Sequence, residues 1–239
     1  MSTSMKVALL ASTNDPDELA CRAARNDYTT EFVADRSFDD VMEPVDGDTP
    51  EEKKENLISQ LMERGHYGPF EHPNATFAAR GISRVCMAQI TRHRHASFDV
   101  QSLRYTVPER GSDIREAVVV PPSVEEAGLV EEFLEGCERQ FELYHNLIDE
   151  DVPKKFRGED VTPPEDARFL LPMATKVNMV FTLNARSLMH VADMRAAADA
   201  QWEVRELTDR MLELAEEWMP TTFETYREEM LGRKNRLAP

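Results

Sequence analysis

Residues 177–197, VNMVFTLNARSLMHVADMRAA, indicate the fold class most clearly because two hydrophobic periods follow one another directly. From 177 to 183 the apolar residues alternate with period two, which predicts a strand with one buried face. From 185 to 197 they recur at helical spacing, which predicts an amphipathic helix. A strand that leads straight into a helix indicates a fold that mixes the two.

The rest of the chain predicts more helix than strand. Short apolar runs predict further strands at 7–10, 75–82 and 117–120. Caps at Asp15-Pro16 and Thr49-Pro50 begin two of the helices. Helices are predicted at 16–25, 50–64, 84–92, 124–148, 165–171, 200–218 and 222–230. Segments 26–48, 95–115 and 153–164 are predicted to be irregular, apart from one helical turn near Asp39.

The length of 239 residues corresponds to roughly one to two domains. No internal repeat or low-complexity linker divides the chain. We therefore predict an α+β fold, a helix-rich single domain with a small, mostly antiparallel sheet. This domain is predicted over residues 1–231, followed by a basic tail at 232–239.

The charge balance limits the partners. Forty-five acidic residues against 28 basic ones give a net charge of −17, which repels nucleic acid and acidic membranes. Many carboxylates with few lysines suit a protein that is soluble at high salt, so salt adaptation is a hypothesis. No apolar run reaches the 18 residues of a membrane span, and the first residues predict a strand rather than a signal peptide. We expect a cytoplasmic protein that binds small molecules.

The cysteines predict no special chemistry. Cys21, Cys86 and Cys137 are widely spaced and form no CxxC pair. A disulfide framework or a zinc site is therefore disfavoured. Each cysteine lies in a helix-like run and is predicted to be a small core residue rather than a nucleophile.

The stretch RHRHASFDVQSLRY, residues 92–105, runs against the acidic composition. Residues 92–104 hold three arginines and one aspartate, a local charge of +2, so the remainder of the chain carries −19. Arginine binds phosphate through two parallel hydrogen bonds, so one interpretation is a site for a multiply charged anion. The other is a solvated loop whose arginines pair with surface carboxylates. Charge alone leaves both open.

Three further arginines lie among apolar residues. Arg168, Arg186 and Arg195 each occupy such a position, and singly each is typical of a structural arginine that pairs locally. Arg186 and Arg195 are nine positions apart, about two and a half turns, so they need not share a helix face.

The spacing Arg-His-Arg, two residues, Ser, four residues, Ser, one residue, Arg resembles the signature of the flavin-dependent thymidylate synthases. Residues 92–104 match it in full. Further elements resemble the same family in the same order: GHYGPFEH at 65–72, Gln89, NARSL at 184–188, and Arg195 with AQWE at 200–203. Together they cover about 50–105 and 165–230.

The resemblance implies an activity and an assembly. Members of this family methylate deoxyuridine monophosphate (dUMP) to thymidine monophosphate (dTMP). Methylenetetrahydrofolate provides the carbon unit, and FAD reduced by NADPH provides the hydride. The resemblance also implies a homotetramer of α+β protomers with active sites shared at subunit contacts. No metal is implied.

The resemblance also implies roles for individual residues. The flavin-binding positions are His66, Glu71, Arg92, His93, Arg94, Asn184, Arg186 and His190. The nucleotide-binding positions are Gln89, Arg92, Ser102, Arg104, Arg168 and Arg195. Arg195 is the catalytic candidate that holds the uracil carbonyl edge. Ser102 is a second catalytic candidate that positions the nucleotide and is not expected to be a nucleophile.

Three positions depart from the family pattern. Asp99-Val100-Gln101 replaces an Asn-Glu or similar pair, so the role of that carboxylate moves to Asp99 or is lost. Gly68 stands where a hydroxyl residue often occurs, and His190 stands where Asn is common.

Two alternatives come from other classes of protein. A metal-dependent hydrolase would use His66, His72, His93 and His95 as ligands, although their spacing fits no strong zinc motif. An RNA-binding module would stack bases on Phe98 and Tyr105 beside the arginines. The −19 remainder disfavours the second alternative because the overall field repels RNA.

Overall fold

The predicted strand and helix that decide the fold are present in a computed structural model, which describes residues 5–148, 162–233 and 238–239. Strand β4 spans Lys176–Asn184, and helix α9, Ala185–Arg195, follows without a loop. The alternation buries one side of the strand at Val177, Met179, Phe181 and Leu183. The period-two prediction for this stretch is confirmed.

Three other strands complete an antiparallel sheet. They are β1 (Lys6–Ser12), β2 (Asn74–Ser83) and β3 (Ala96–Val100), and the order across the sheet is β1-β2-β4-β3. The ring of Phe181 stacks on Phe77 and Phe98, with centroids 5.6 and 6.0 Å away. These rings join β2, β4 and β3 through one apolar cluster. The predicted α+β class with a small antiparallel sheet is confirmed.

Helices account for most of the remaining described chain. Helix α3 (Pro50–Glu63) shows why they begin where they do: Thr49 and Glu52 form a capping box, and Pro50 opens the helix. The other helices are α1 (Pro16–Asn26), α2 (Phe38–Met42), α4 (Arg84–Ile90), α5 (Ile114–Ala117), α6 (Pro122–Glu126), α7 (Val130–Ile148), α8 (Pro164–Ala167), α10 (Trp202–Trp218) and α11 (Pro220–Thr225). A π-helical turn, Tyr226–Met230, follows α11. Within the described ranges, none of these helices is both long and apolar enough to cross a membrane.

The described residues form two compact units. Unit 1 contains those of Met1–Lys6, Ala79–Ile90 and Asp99–Met179, and unit 2 contains those of Val7–Ala78, Thr91–Phe98 and Val180–Pro239. The predictions of one domain over 1–231 and of a separate tail stay predictions. Most of the irregular segment predicted at 153–164 lies outside the described residues.

Each unit has its own core. In unit 1, helix α7 buries Leu134, Cys137, Phe141 and Tyr144 along one side. In unit 2, the Tyr226 hydroxyl lies 2.8 Å from the Met189 carbonyl and 2.6 Å from the Asp193 carboxylate. That contact fixes α9 against the C-terminal helices.

Three sequence predictions are wrong. The segment 95–115 was predicted to be irregular but contains β3, whose five residues are too few for a clear alternation. The strand predicted at 117–120 is a single antiparallel bridge between Val118 and Thr175, because α5 continues through Ala117. The helix predicted at 124–148 is interrupted at Gly128, whose φ of +69° is left-handed backbone that glycine adopts without strain.

Candidate active site

A cavity of about 670 Å³ in unit 2 lies between the turn at residues 91–95 and helix α9. This volume falls within the ~300–1,000 Å³ typical of small-molecule sites. Residues predicted as flavin-binding positions line it: Glu71, Arg92, His93, Arg94, Asn184, Arg186 and His190. The nucleotide candidate Arg195 lines the same cavity, as does Pro239.

The junction of β4 and α9 positions one wall of the cavity. The Asn184 Oδ1 accepts a hydrogen bond from the Ser187 backbone N–H at 2.8 Å, which caps the helix. Ser187, His190 and Met194 then face the cavity at positions i, i+3 and i+7. Arg186 and Arg195 lie on the two sides of this helix face. Although they are nine positions apart, both side chains therefore line the same cavity.

The cavity lining is strongly cationic for a chain of charge −17. Four arginines line it, and among the described lining residues Glu71 is the carboxylate that opposes them. Its Oε1 lies 2.5 Å from Nη1 of Arg186. Both side chains are about half exposed, and such pairs contribute only about 0–1 kcal/mol. No ion pair is found for Arg92 or Arg94 among the described residues, which favours the anion-site interpretation over pairing with surface carboxylates.

His93 is the buried member of the signature, with 8% of its surface exposed. Its Nε2 accepts a hydrogen bond from Nε of Arg195 at 3.0 Å, and its ring meets His190 edge-on at 5.8 Å. Burial, followed by the charges of Arg195 and His190, lowers the pKa of His93 from 6.5 to about 4. The imidazole is therefore neutral at neutral pH.

A second, smaller cavity of about 210 Å³ lies within unit 1. It is lined by Arg84, Ser102 and Arg168, with apolar walls that include Met87 and Val177. Ser102 and Arg168 are predicted nucleotide positions. Arg168 Nε donates to the Glu165 carbonyl at 3.2 Å. Two guanidinium groups beside a hydroxyl make a donor set that suits a phosphate.

Sequence reasoning missed Arg84, which opens helix α4. Its Nε is fully buried and has no hydrogen-bond partner, and no ion pair for it is found among the described residues. Arg84 as a whole is half-buried, and a buried donor nitrogen without a hydrogen-bond partner is unfavourable, so a bound anion that accepts this hydrogen bond would complete the site. The sequence contains a signal for Arg84, because the apolar residues Val85-Cys86-Met87 follow it directly, much as apolar residues follow Arg168.

Three predicted site residues line neither of these two cavities. His66 is exposed on the loop after α3. Gln89 is half-buried on α4 in unit 1. Arg104 is exposed, where it lies 3.6 Å from the Glu165 carboxylate and 5.4 Å from the centroid of the Tyr105 ring. The predicted pairing with a surface carboxylate thus describes Arg104, whereas Arg92 and Arg94 are also exposed but line the larger cavity.

Comparisons with known proteins agree with this geometry. A family model described as "Thymidylate synthase complementing protein" matches residues 8–221. The flavin-dependent thymidylate synthases of Haloarcula marismortui and Halobacterium salinarum are 53% and 52% identical over 98% of this chain and all of each relative. The same enzyme of Nitratidesulfovibrio vulgaris is 36% identical over 92% of this chain and 86% of its own. The chain belongs to the flavin-dependent thymidylate synthase family.

In this flavin-dependent thymidylate synthase family member, the burial of the cysteines indicates whether any of them can act as a nucleophile. All three are buried, with 0% of Cys21 and Cys86 exposed. Burial raises the pKa of Cys21 to about 12, and it raises that of Cys137 as well. A thiolate nucleophile needs an electropositive and partly exposed setting, so the predicted role as core residues is supported.

The ligand set of the hydrolase alternative is not assembled. Among residues 5–148, 162–233 and 238–239, no three His, Cys, Asp or Glu side chains lie close enough to hold a metal ion together. His66, His72, His93 and His95 all belong to these ranges and form no such group. The arrangement of these four histidines therefore does not support a hydrolase that uses them as metal ligands.

Proposed function

We propose that this chain catalyses the reductive methylation of dUMP to dTMP, with methylenetetrahydrofolate as carbon donor and with FAD that NADPH reduces. The observation that carries this proposal is the concentration of arginines in the lining of two cavities of an acidic chain. The family membership of the whole chain supports the same reaction.

The residues of the larger cavity fit FAD. Its arginines suit a pyrophosphate, and the Asn184 and Ser187 side chains add neutral donors. We assign flavin contacts to Glu71, Arg92, His93, Arg94, Asn184, Arg186 and His190, and a contact to His66 from its exposed position. When bound, the reduced flavin supplies the hydride, so the chemistry needs no nucleophile from the protein.

The residues predicted as nucleotide-binding positions are assigned contacts with dUMP. We assign the phosphate to Ser102 and Arg168, and we add Arg84 to them. Gln89, Arg92 and Arg104 are assigned further contacts with the nucleotide. Arg195 holds the uracil carbonyl edge and stabilises the negative charge that develops when the ring is attacked.

The assembly and the setting of the protein are also proposals. A homotetramer with active sites at subunit contacts lets residues of different chains meet one nucleotide. The acidic composition suits a salt-rich cytoplasm, and two of the relatives come from the halophiles Haloarcula marismortui and Halobacterium salinarum. Screening at high salt reduces the self-repulsion of a chain with charge −17.

A turnover assay tests the proposed function. Purified protein receives dUMP, methylenetetrahydrofolate, FAD and NADPH at low and at high salt, and dTMP is measured by chromatography. We expect dTMP to form only when all four are present, and to form faster at high salt. A folded, flavin-loaded protein that makes no dTMP at any ionic strength contradicts the proposal.

Replacement of Ser102 tests whether it is a nucleophile. We expect Ser102→Ala to keep measurable methylation and to raise the KM for dUMP by roughly tenfold, because one neutral donor is lost. The measurement is the initial rate of dTMP formation against dUMP concentration. A variant that binds dUMP normally but is wholly inactive would show that the hydroxyl takes part in bond formation.

A further inference from the structure

The side chain of Arg195 is held by a specific partner. Its Nε donates to Nε2 of His93 at 3.0 Å, and this bond joins helix α9 to the turn that carries the signature. His93 is buried, whereas Arg195 is half-buried and lines the cavity. The rigid member of the pair is therefore the histidine, and the side chain that meets a ligand is the arginine.

The direction of this hydrogen bond constrains the chemistry of both groups. An imidazole nitrogen accepts a hydrogen bond only when it carries no proton, so Nε2 is bare and the proton lies on Nδ1. The guanidinium is planar, and a bond through Nε–H fixes the plane and thus the position of its two terminal amino groups. Edge contact with His190, at 5.8 Å between centroids, restricts rotation of the His93 ring.

We propose that His93 is a positioning residue, a neutral acceptor that fixes the guanidinium of Arg195 for contact with the uracil ring. This inference rests on the proposed function, in which Arg195 stabilises the reacting base. It gives His93 a role beyond a flavin contact, because the bond from Nε–H to this acceptor sets the plane of the Arg195 guanidinium. Positioning of this kind decides how well a charged donor stabilises a transition state.

The charges around His93 keep the acceptor neutral. From helix α9 it faces Arg195 and His190, and its own turn carries Arg92, Arg94 and His95. Arg186 and Glu71 line the same cavity from further away. Cations thus outnumber carboxylates around the ring. Burial, followed by the charges of Arg195 and His190, lowers the pKa of His93 to about 4, so the acceptor is lost only in acid.

A double-mutant cycle tests the pair in the FAD-loaded enzyme. His93→Leu removes the acceptor, His93→Gln provides an amide oxygen instead, and Arg195→Lys removes the Nε–H donor. We expect His93→Leu to lower kcat by roughly tenfold with a smaller change in KM, and His93→Gln to restore most of it. In the Arg195→Lys background, His93→Leu is expected to have little further effect. The matched control is His72→Leu. His72 is exposed, and we expect this variant to leave kcat unchanged.

A second measurement needs no activity. In protein labelled with ¹⁵N-histidine, NMR should show the Nε2 of His93 unprotonated at neutral pH, and Arg195→Lys should change its shift. A non-additive cycle with a bare Nε2 supports the proposal. Additive effects, an unchanged kcat in His93→Leu, or a protonated Nε2 at neutral pH would overturn it. If dTMP formation itself fails, the NMR result still decides whether His93 accepts from Arg195, so the two failures are distinguishable.

Discussion

Arg195→Ala is expected to lower the rate of dTMP formation by about a hundred- to a thousand-fold, the usual loss for one donor at a developing negative charge. The guanidinium lines the larger cavity and is oriented by His93, so its removal takes away a positioned charge rather than a solvated one. The measurement is kcat at saturating dUMP. FAD affinity, followed by the change in flavin fluorescence, is expected to stay within severalfold because three other arginines remain in the lining.

The control for this prediction is Arg210→Ala on helix α10. Arg210 pairs with Glu206 one turn away, at 2.8 Å, and lines neither cavity. This variant loses the same side chain and should keep wild-type kcat. Wild-type turnover in Arg195→Ala would remove the role assigned to Arg195.

The second large effect is expected at Arg84. Arg84→Ala should raise the KM for dUMP by about ten- to a hundred-fold, because a charge-assisted hydrogen bond contributes about 1.5–3 kcal/mol. The rate at saturation should change much less. Since the proposed partner is the phosphate, binding of deoxyuridine, which lacks one, should be nearly the same in the variant and in the wild type.

Arg80→Ala is the matched control for Arg84. It lies four residues earlier on strand β2, and its side chain is exposed. An unchanged dUMP affinity in Arg84→Ala, or an equal loss for deoxyuridine and dUMP, would show that the Arg84 side chain has a structural role instead.

Local periodicity predicted the parts of the fold that bury one clear face. The alternation at 177–183 and the helical spacing after it gave β4 and α9 almost to the residue. Strand β3 was missed because its pairing depends on a distant strand: Phe98 stacks on Phe181, more than eighty positions away. The break at Gly128 was missed because the apolar spacing continues on both sides of it.

The site, like the fold, has parts that the sequence predicted and parts that it could not predict. The signature placed Arg92, His93 and Arg94 together, and helix α9 brought Arg186, His190 and Arg195 to the same cavity. The hydrogen bond between His93 and Arg195 could not be predicted, because it joins residues 102 positions apart and depends on side-chain geometry. Arg84 was overlooked since it lies outside the recognised elements, and only the structure shows that its Nε is buried without a hydrogen-bond partner.

We propose that the arginines of the larger cavity, in a chain of net charge −17, form a site for a flavin dinucleotide. Titration of the purified protein with FAD, and separately with riboflavin, tests it most directly when followed by flavin fluorescence at low and high salt. We expect saturable, stoichiometric binding of FAD and far weaker binding of riboflavin, which lacks the pyrophosphate. A folded protein that binds neither at any ionic strength, or both equally, would show that these arginines do not form a site for a flavin dinucleotide.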